Sequence, residues 1–273
     1  MYGGKYTTQQ LLALKEEHKT CAAIAAFLGK PPTTVVNWFA IMKRRSNRTL
    51  YIPDLHIPAM KEGFDDWCLL KAKKHGCTTI ILGGDVIDND YLKRYDPNLD
   101  YYNPKGEYLK AKEILKALFE KLKDYEVIWI LGNHDERMNP KARRDRTPSW
   151  FIKSIRDVYG VPDNVLMTEK FYTGDTVVKH SGYGNIKPHV NLRDIEHCNA
   201  VVFHNHSLSA LHAVRTAGGF YWGCVVGCGI DTEHLACEYM RTNKTKFIWS
   251  CLVVDNKQPY LYWHPDNWNT DMA

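Results

Sequence analysis

From residue 48 onward, short apolar runs suited to strands alternate with longer stretches suited to helices. The runs TLYI (49–52), TTIIL (78–82) and VIWIL (127–131) are separated by helix-like stretches over 60–75 and 107–123. Such alternation is the signature of βαβ units and predicts a parallel or mixed sheet with helices on its faces. Further strand-like runs at 176–179, 200–203, 247–254 and 259–263 predict a second sheet. The expected fold class is therefore α/β, a layered β-sandwich flanked by helices.

The first 47 residues read as a small all-α domain. Leu11, Leu12 and Leu14 mark the apolar side of one helix, and residues 21–28 form a second, short one ending at Gly29. A third begins near Pro31 and Pro32, where proline is tolerated because early helical N–H groups have no internal partner. It continues through Val35, Val36, Trp38, Phe39 and Met42. Residues 1–50 carry eight basic side chains against Glu16 and Glu17, a charge of +6 within a chain total of +5. A polyanion would be drawn to this end. Where KRRSNR (43–48) gives way to TLYIPD, a boundary separates domain 1–47 from a larger α/β domain 48–273.

The stretch CAAIAAFLGKPPTTVVNWF (21–39) resembles a helix-turn-helix of small bacterial and phage regulators. That resemblance implies that Thr33, Thr34 and Asn37 face a groove and that Lys43, Arg44 and Arg45 lie near phosphates. A helical bundle used for self-association, or for packing on the larger domain, is the competing reading.

Five polar motifs follow the boundary in order, each at the C-terminal end of an expected strand, where open α/β sheets place their reactive groups. They are DLH (Asp54, His56), GDVID (Asp85, Asp88), GNHD (Asn133, His134, Asp135), the single His180, and HNH (His204, His206). Any one alone occurs often by chance; five in order are the argument. The set resembles the calcineurin-like metallophosphoesterase superfamily, with the look of its phage-encoded members. The resemblance covers roughly residues 48–263.

It implies two divalent ions, about 3.5 to 4 Å apart, that clamp a phosphate and share a bridging hydroxide. Asp54, His56 and His206 would hold one ion, and Asn133, His180 and His204 the other, with Asp85 between them. His134 would face the leaving group as general acid, its tautomer fixed by Asp88. All seven metal-ligand candidates are then expected to converge. A glycine before each acidic or amide ligand is expected to let the backbone turn off its strand. Arg137 is a phosphate contact or a surface ion pair. Mixed oxygen and nitrogen donors accept Mn²⁺, the working choice, as well as Fe²⁺, Zn²⁺ or Ni²⁺.

Two departures stand out. Phe203 occupies the position of a family glycine, so the backbone approach at His204 is expected to differ. Asn89 replaces the arginine that follows GDxVD in Ser/Thr protein phosphatases, which disfavours that branch.

Between GDVID and GNHD lie Tyr91, Tyr95, Tyr101, Tyr102 and Tyr108 with Lys93, Arg94 and Lys105. They either stack bases and guide a strand or pack on the domain. Arg143, Arg144 and Arg146 read as a solvated basic stretch. Together with the basic headpiece, this segment favours nucleic-acid phosphodiesters, DNA above all, as the substrate of a nuclease or end-processing enzyme. The alternatives are a phosphatase or phosphodiesterase for small nucleotides, and a DNA-binding regulator with an inert phosphoesterase domain.

The eight cysteines are scattered and form no CxxC pair, so reduced, buried thiols are expected. Cys224, Cys228 and Cys237 with His234 are an alternative zinc set, at a spacing unusual for one. No apolar run is long enough to cross a membrane. The opening MYGGKYTTQQ lacks the apolar core of a secretory signal. A cytoplasmic place, in a bacterium or a phage-infected host, is the expectation.

Overall fold

The computed structural model describes residues 6, 8–45, 48–92, 103–138, 142, 144–148, 151–184, 186–234 and 246–268. Three helices open the chain: α1 (Thr8–His18), α2 (Cys21–Phe27) and α3 (Pro32–Arg45). The Thr20 side chain accepts from the Ala23 N–H and so caps α2. Leu11, Ile24, Ala25, Val35 and Trp38 form a buried cluster of their own.

A six-stranded sheet follows, in the order β11-β10-β1-β2-β3-β4. Its strands are β1 (Arg48–Ile52), β2 (Thr79–Leu82), β3 (Glu126–Ile130), β4 (Leu166–Thr168), β10 (Ser250–Asp255) and β11 (Gln258–Trp263). The pairs from β1 to β4 are parallel, and β10 and β11 add antiparallel strands at one edge. The crossovers between β1, β2 and β3 run through helices α4 (Phe64–His75) and α5 (Pro104–Leu122). Charge on α4 matches its dipole, with Asp65 and Asp66 in the first turn and Lys73, Lys74 and His75 in the last. Asn103 caps α5 by accepting from the Gly106 N–H, and Pro104 sits in the first turn.

A second sheet has the order β5-β6-β7-β9-β8, from β5 (Lys170–Thr173), β6 (Thr176–Lys179), β7 (Asn199–Val202), β8 (Ala210–Thr216) and β9 (Gly219–Val225). Helix α6 (Ile155–Tyr159) precedes β4, and α7 (Pro188–Glu196) precedes β7.

Strand alternation divides the first sheet's apolar side chains between two cores. Leu50, Ile52, Ile80, Leu82, Val127 and Trp129 pack toward α4 and α5. Tyr51, Ile81, Ile128 and Ile130 point the other way and meet Val178, Val201 and Trp222 of the second sheet. Val177, Ala200 and Val202 pack with Leu192 of α7. The result is the expected sandwich of two sheets with helices outside, and each crossover strand delivers its end to the same rim.

The cysteines of the described residues are free, and Cys68, Cys77, Cys224, Cys228 and Cys251 are buried. Cys237, of the alternative zinc set, lies outside the described residues, as do Lys93, Arg94, Tyr95, Tyr101, Tyr102 and Arg143. Among the described residues no helix is long and apolar enough to cross a membrane.

Candidate metal centre

Five loops build the site, and they come from both sheets. Beyond β1 stand Asp54 and His56, beyond β2 Asp85 and Asp88, and beyond β3 Asn133 and His134. His180 directly follows β6, while His204 and His206 follow β7. The backbone turns hard at these points. His56, Asp85, Asn89 and His204 take φ values of +46°, +46°, +50° and +69°, the left-handed region that side chains avoid. Non-glycine residues there cost on the order of 1–3 kcal/mol each and persist only where their surroundings hold them. The hold is visible at His56, whose N–H donates to the Asp85 carbonyl at 2.9 Å.

Gly84 turns as expected, with φ +93°, and a Cβ there would come within 2.6 Å of His180 Nδ1. Gly132 corrects the expectation of a turn glycine: it has no such φ, and its function is clearance. A Cβ there would lie 2.2 Å from Asp85 Oδ1. The glycine missing at Phe203 is compensated across the sheet interface, because the Phe203 ring fits over Gly83, where a Cβ would meet it at 2.5 Å.

The side chains converge as three overlapping sets that share His56 and Asp85. His206 Nε2 lies 3.0 Å from Asp54 Oδ2, and Asp54, His56 and His206 present donor atoms within 4.8 Å of one another. His180 Nε2 lies 3.1 Å from both Asp85 Oδ2 and His204 Nδ1, and Asp85, His180 and His204 form a second such set. His56, Asp85 and His134 form a third, so Asp85 belongs to two. Asp54 and Asp85 are 0% and 1% exposed. Asn133 is exposed, between Gly132, which packs on Asp85, and His134, whose N–H donates to Asp85 Oδ1 at 2.7 Å.

Asp88 braces two rings at once. Its Oδ1 meets His134 Nδ1 at 2.8 Å and His56 Nδ1 at 2.9 Å. Arg137 turns inward toward His134 instead of pairing at the surface. Its Nη1 donates to the carbonyls of Asp88 and Asn89, each at 3.0 Å, and its Nη2 lies 2.7 Å from His134 Nε2.

Two supports escaped the sequence reading. Asn89 donates to the His134 carbonyl at 3.0 Å and accepts from Tyr159 Oη at 2.6 Å. Nothing local in the sequence points to a tyrosine 70 positions away. Asp135 accepts from the N–H groups of Gly132, Ile87 and the Trp129 indole at 2.9, 3.2 and 3.0 Å. Its place in GNHD was the available signal.

Burial opposes charge on each of these groups, and neighbours decide the outcome. In His180 it is outweighed by Asp54 and Asp85, which raise the ring to about 10. His134 also rises, because its hydrogen bond to Asp88 and the nearby Asp85 overcome burial. His56 and His204 go down, chiefly through burial. Asp85 and Asp88, although buried, are held below the usual carboxylate range by His180 and by the His134–His56 pair respectively. Burial, and then the Asp85 charge, push Asp135 up to about 7.

The donor set suits cations. Buried His56 Nε2 has no hydrogen-bond partner, and Asp85 Oδ2 is 3.8 Å away. Carboxylate oxygens and imidazole nitrogens in such sets are ligands for Mn²⁺, Fe²⁺, Zn²⁺ or Ni²⁺.

Residues 48–225, which include every one of these groups, match the family model for calcineurin-like phosphoesterases. The chain belongs to that family. This phosphoesterase is thereby a metal-dependent hydrolase of phosphate esters. Its fold is similar to a solved archaeal phosphodiesterase (10% identity, 80% of this chain and 99% of the other, TM-score 0.39). It is also similar to a single mutant of Vps29 from Entamoeba histolytica (13%, 80% and 93%, 0.38) and to Pseudomonas putida nuclease MPE (10%, 80% and 92%, 0.36). Comparison of the phosphoesterase with curated proteins gives no match.

Proposed function

We propose that this phosphoesterase is a two-metal phosphodiesterase acting on nucleic acids, with DNA as the preferred substrate. The observation that carries the reading is the pair of wholly buried carboxylates, Asp54 and Asp85, each set among imidazoles from both sheets. So much buried negative charge and so many ring nitrogens suit a pair of cations far better than a dry core. Asp54, His56 and His206 would hold one ion, and Asn133, His180 and His204 the other, with Asp85 shared. Bound there, two divalent ions, Mn²⁺ foremost, supply a clamp on the phosphate and a water acidic enough to attack at neutral pH.

The chain's own residues do the rest. Asp88 accepts from His134 Nδ1 and so leaves Nε2 as the atom that delivers a proton to the departing oxygen. Arg137 lies against that same Nε2. A phosphate arriving between them would draw the guanidinium to itself and free the nitrogen to carry its proton. The N-terminal helices would hold the polyanion: Thr33 and Asn37 are exposed on α3, Thr34 is half-buried, and the +6 charge is local to this end. The side chains of Lys43, Arg44 and Arg45 lie outside the described residues.

The test is direct. Purified protein with Mn²⁺ is expected to degrade DNA, and Asp85→Asn to abolish that. Turnover of nitrophenyl phosphodiesters with no attack on any DNA would move the substrate to small nucleotides.

A further inference from the structure

A cleft of about 450 Å³ opens beside His204 and His206. Its size falls within the about 300–1,000 Å³ of sites for one small organic molecule. It is no track for a strand, which would need a groove several nucleotides long. Among the described residues, its lining holds no Lys, Arg, Asp or Glu.

What does line it is specific. Ser181, Asn205 and Ser207 offer uncharged hydrogen-bonding groups, and Phe247, 7% exposed, offers the edge of an aromatic ring. Asn205 Oδ1 already accepts from the Ser207 N–H and Oγ at 3.3 and 3.2 Å, which leaves its amide NH₂ to donate outward. Gly182 lets the loop close on the start of α7, since a Cβ there would lie 2.4 Å from the Pro188 carbonyl.

The position of the cleft gives it a role. A row of rings runs from His134 through His56 and His206 to Phe247, with successive centroids 4.3, 4.9 and 5.2 Å apart. Arg137 and Nε2 of His134 stand at one end of the row, and the cleft at the other. A phosphodiester lying along it would have its leaving group at His134 and its retained arm in the cleft.

We propose that this cleft binds the single terminal nucleoside of a nucleic-acid strand, so that the enzyme removes nucleotides from an end. The inference rests on the phosphodiesterase reading above. Sugar hydroxyls and base carbonyls find Ser181, Ser207 and the Asn205 amide, and the base meets the edge of Phe247. A continuing strand would instead place its next phosphate among side chains that, among the described lining residues, include no Lys or Arg. In each turnover, water oxygen bonds to phosphorus, the bond from phosphorus to the leaving oxygen breaks, and that oxygen takes a proton. The terminal nucleoside departs as its monophosphate.

The experiment compares thymidine 5′- and 3′-(4-nitrophenyl phosphate) with methyl 4-nitrophenyl phosphate, using Mn²⁺-loaded protein. One thymidine ester is expected to exceed the methyl ester in kcat/KM on the order of 10-fold or more. Ser207→Trp, which fills the cleft from an exposed position, is expected to bring that ratio to about one. Thymidine, which has no phosphate, is expected to show saturation-transfer NMR with wild type and to lose it in the variant. Linear single-stranded DNA should shorten from an end while a circle stays intact. Equal turnover of all esters without thymidine binding would overturn the cleft and leave the metal centre standing. Thymidine binding with no turnover of any ester would sink the phosphodiesterase reading and keep the nucleoside site. A circle cut as fast as a linear strand would overturn end-directed action.

Discussion

Asp88 holds two histidine rings with one oxygen, so its removal reaches further than a single hydrogen bond. Asp88→Asn is expected to lower kcat by roughly 10²–10⁴ through His134. It is also expected to weaken metal binding by about 10–100-fold through His56. Steady-state kinetics alongside metal titration separate the two; full affinity with reduced kcat would mean that the contact with His56 does nothing. Gly132→Ala tests clearance. Its Cβ would meet Asp85 Oδ1 and the Asp85 backbone nitrogen at 2.2 and 2.3 Å, and backbone cannot yield as a flexible side chain does. Loss of metal binding and a destabilisation of about 1–3 kcal/mol are expected, read by titration and thermal melting. At this scale the polar motifs of the chain were legible because adjacent pattern, strand then ligand, was enough to expect convergence. Asn133 and His204 are exposed, where the other candidates are buried or half-buried. The supports were less legible, since the contacts of Asn89 with Tyr159 and of Arg137 with backbone carbonyls depend on how distant loops fold together.

Among the elements, α5 carries a titrating group of its own. Glu107 accepts from the Asp90 N–H at 2.8 Å, yet burial, helped by the Asp88 and Asp90 charges, pushes its carboxyl up to about 7. Its folded pKa thus lies above the unfolded one, so the folded state binds the extra proton and its stabilising effect is complete below about pH 4.3. That effect is lost as pH rises through about 7. Glu107→Gln is expected to flatten the fall in Tm between these limits, measured by thermal melts across pH; an unchanged profile would exclude the carboxyl as its source. The crossover strands and α1 to α5 were readable from apolar periodicity. Strands β4, β5, β8 and β9 were not: β8, for one, exposes most of its side chains, Leu211 included, so ALHAVRT has no buried face to announce it. Helix α7 was missed as well, being nine residues long and following the glycine-rich stretch SGYG.

Across the whole molecule, charge is uneven, with +6 in residues 1–50 and −1 in the remainder. If the first helices hold DNA, affinity should fall with salt. Changing Lys43, Arg44 and Arg45 to Gln should lower the slope of log K against log salt by roughly 0.9 for each phosphate that is no longer neutralised. An unchanged slope would place the DNA on another part of the surface. The donor set also draws on both sheets: Asp54, His56 and Asp85 from the first, His180, His204 and His206 from the second. A cation bound at about 100 times its Kd is expected to raise Tm by roughly 5–10 °C, reversed by chelator. Such an ion would act as a rivet through two plates. Withdrawn, it would leave the plates held by their greasy faces and a few direct hydrogen bonds, and the strand tips at the rim would be the first to exchange their amide hydrogens.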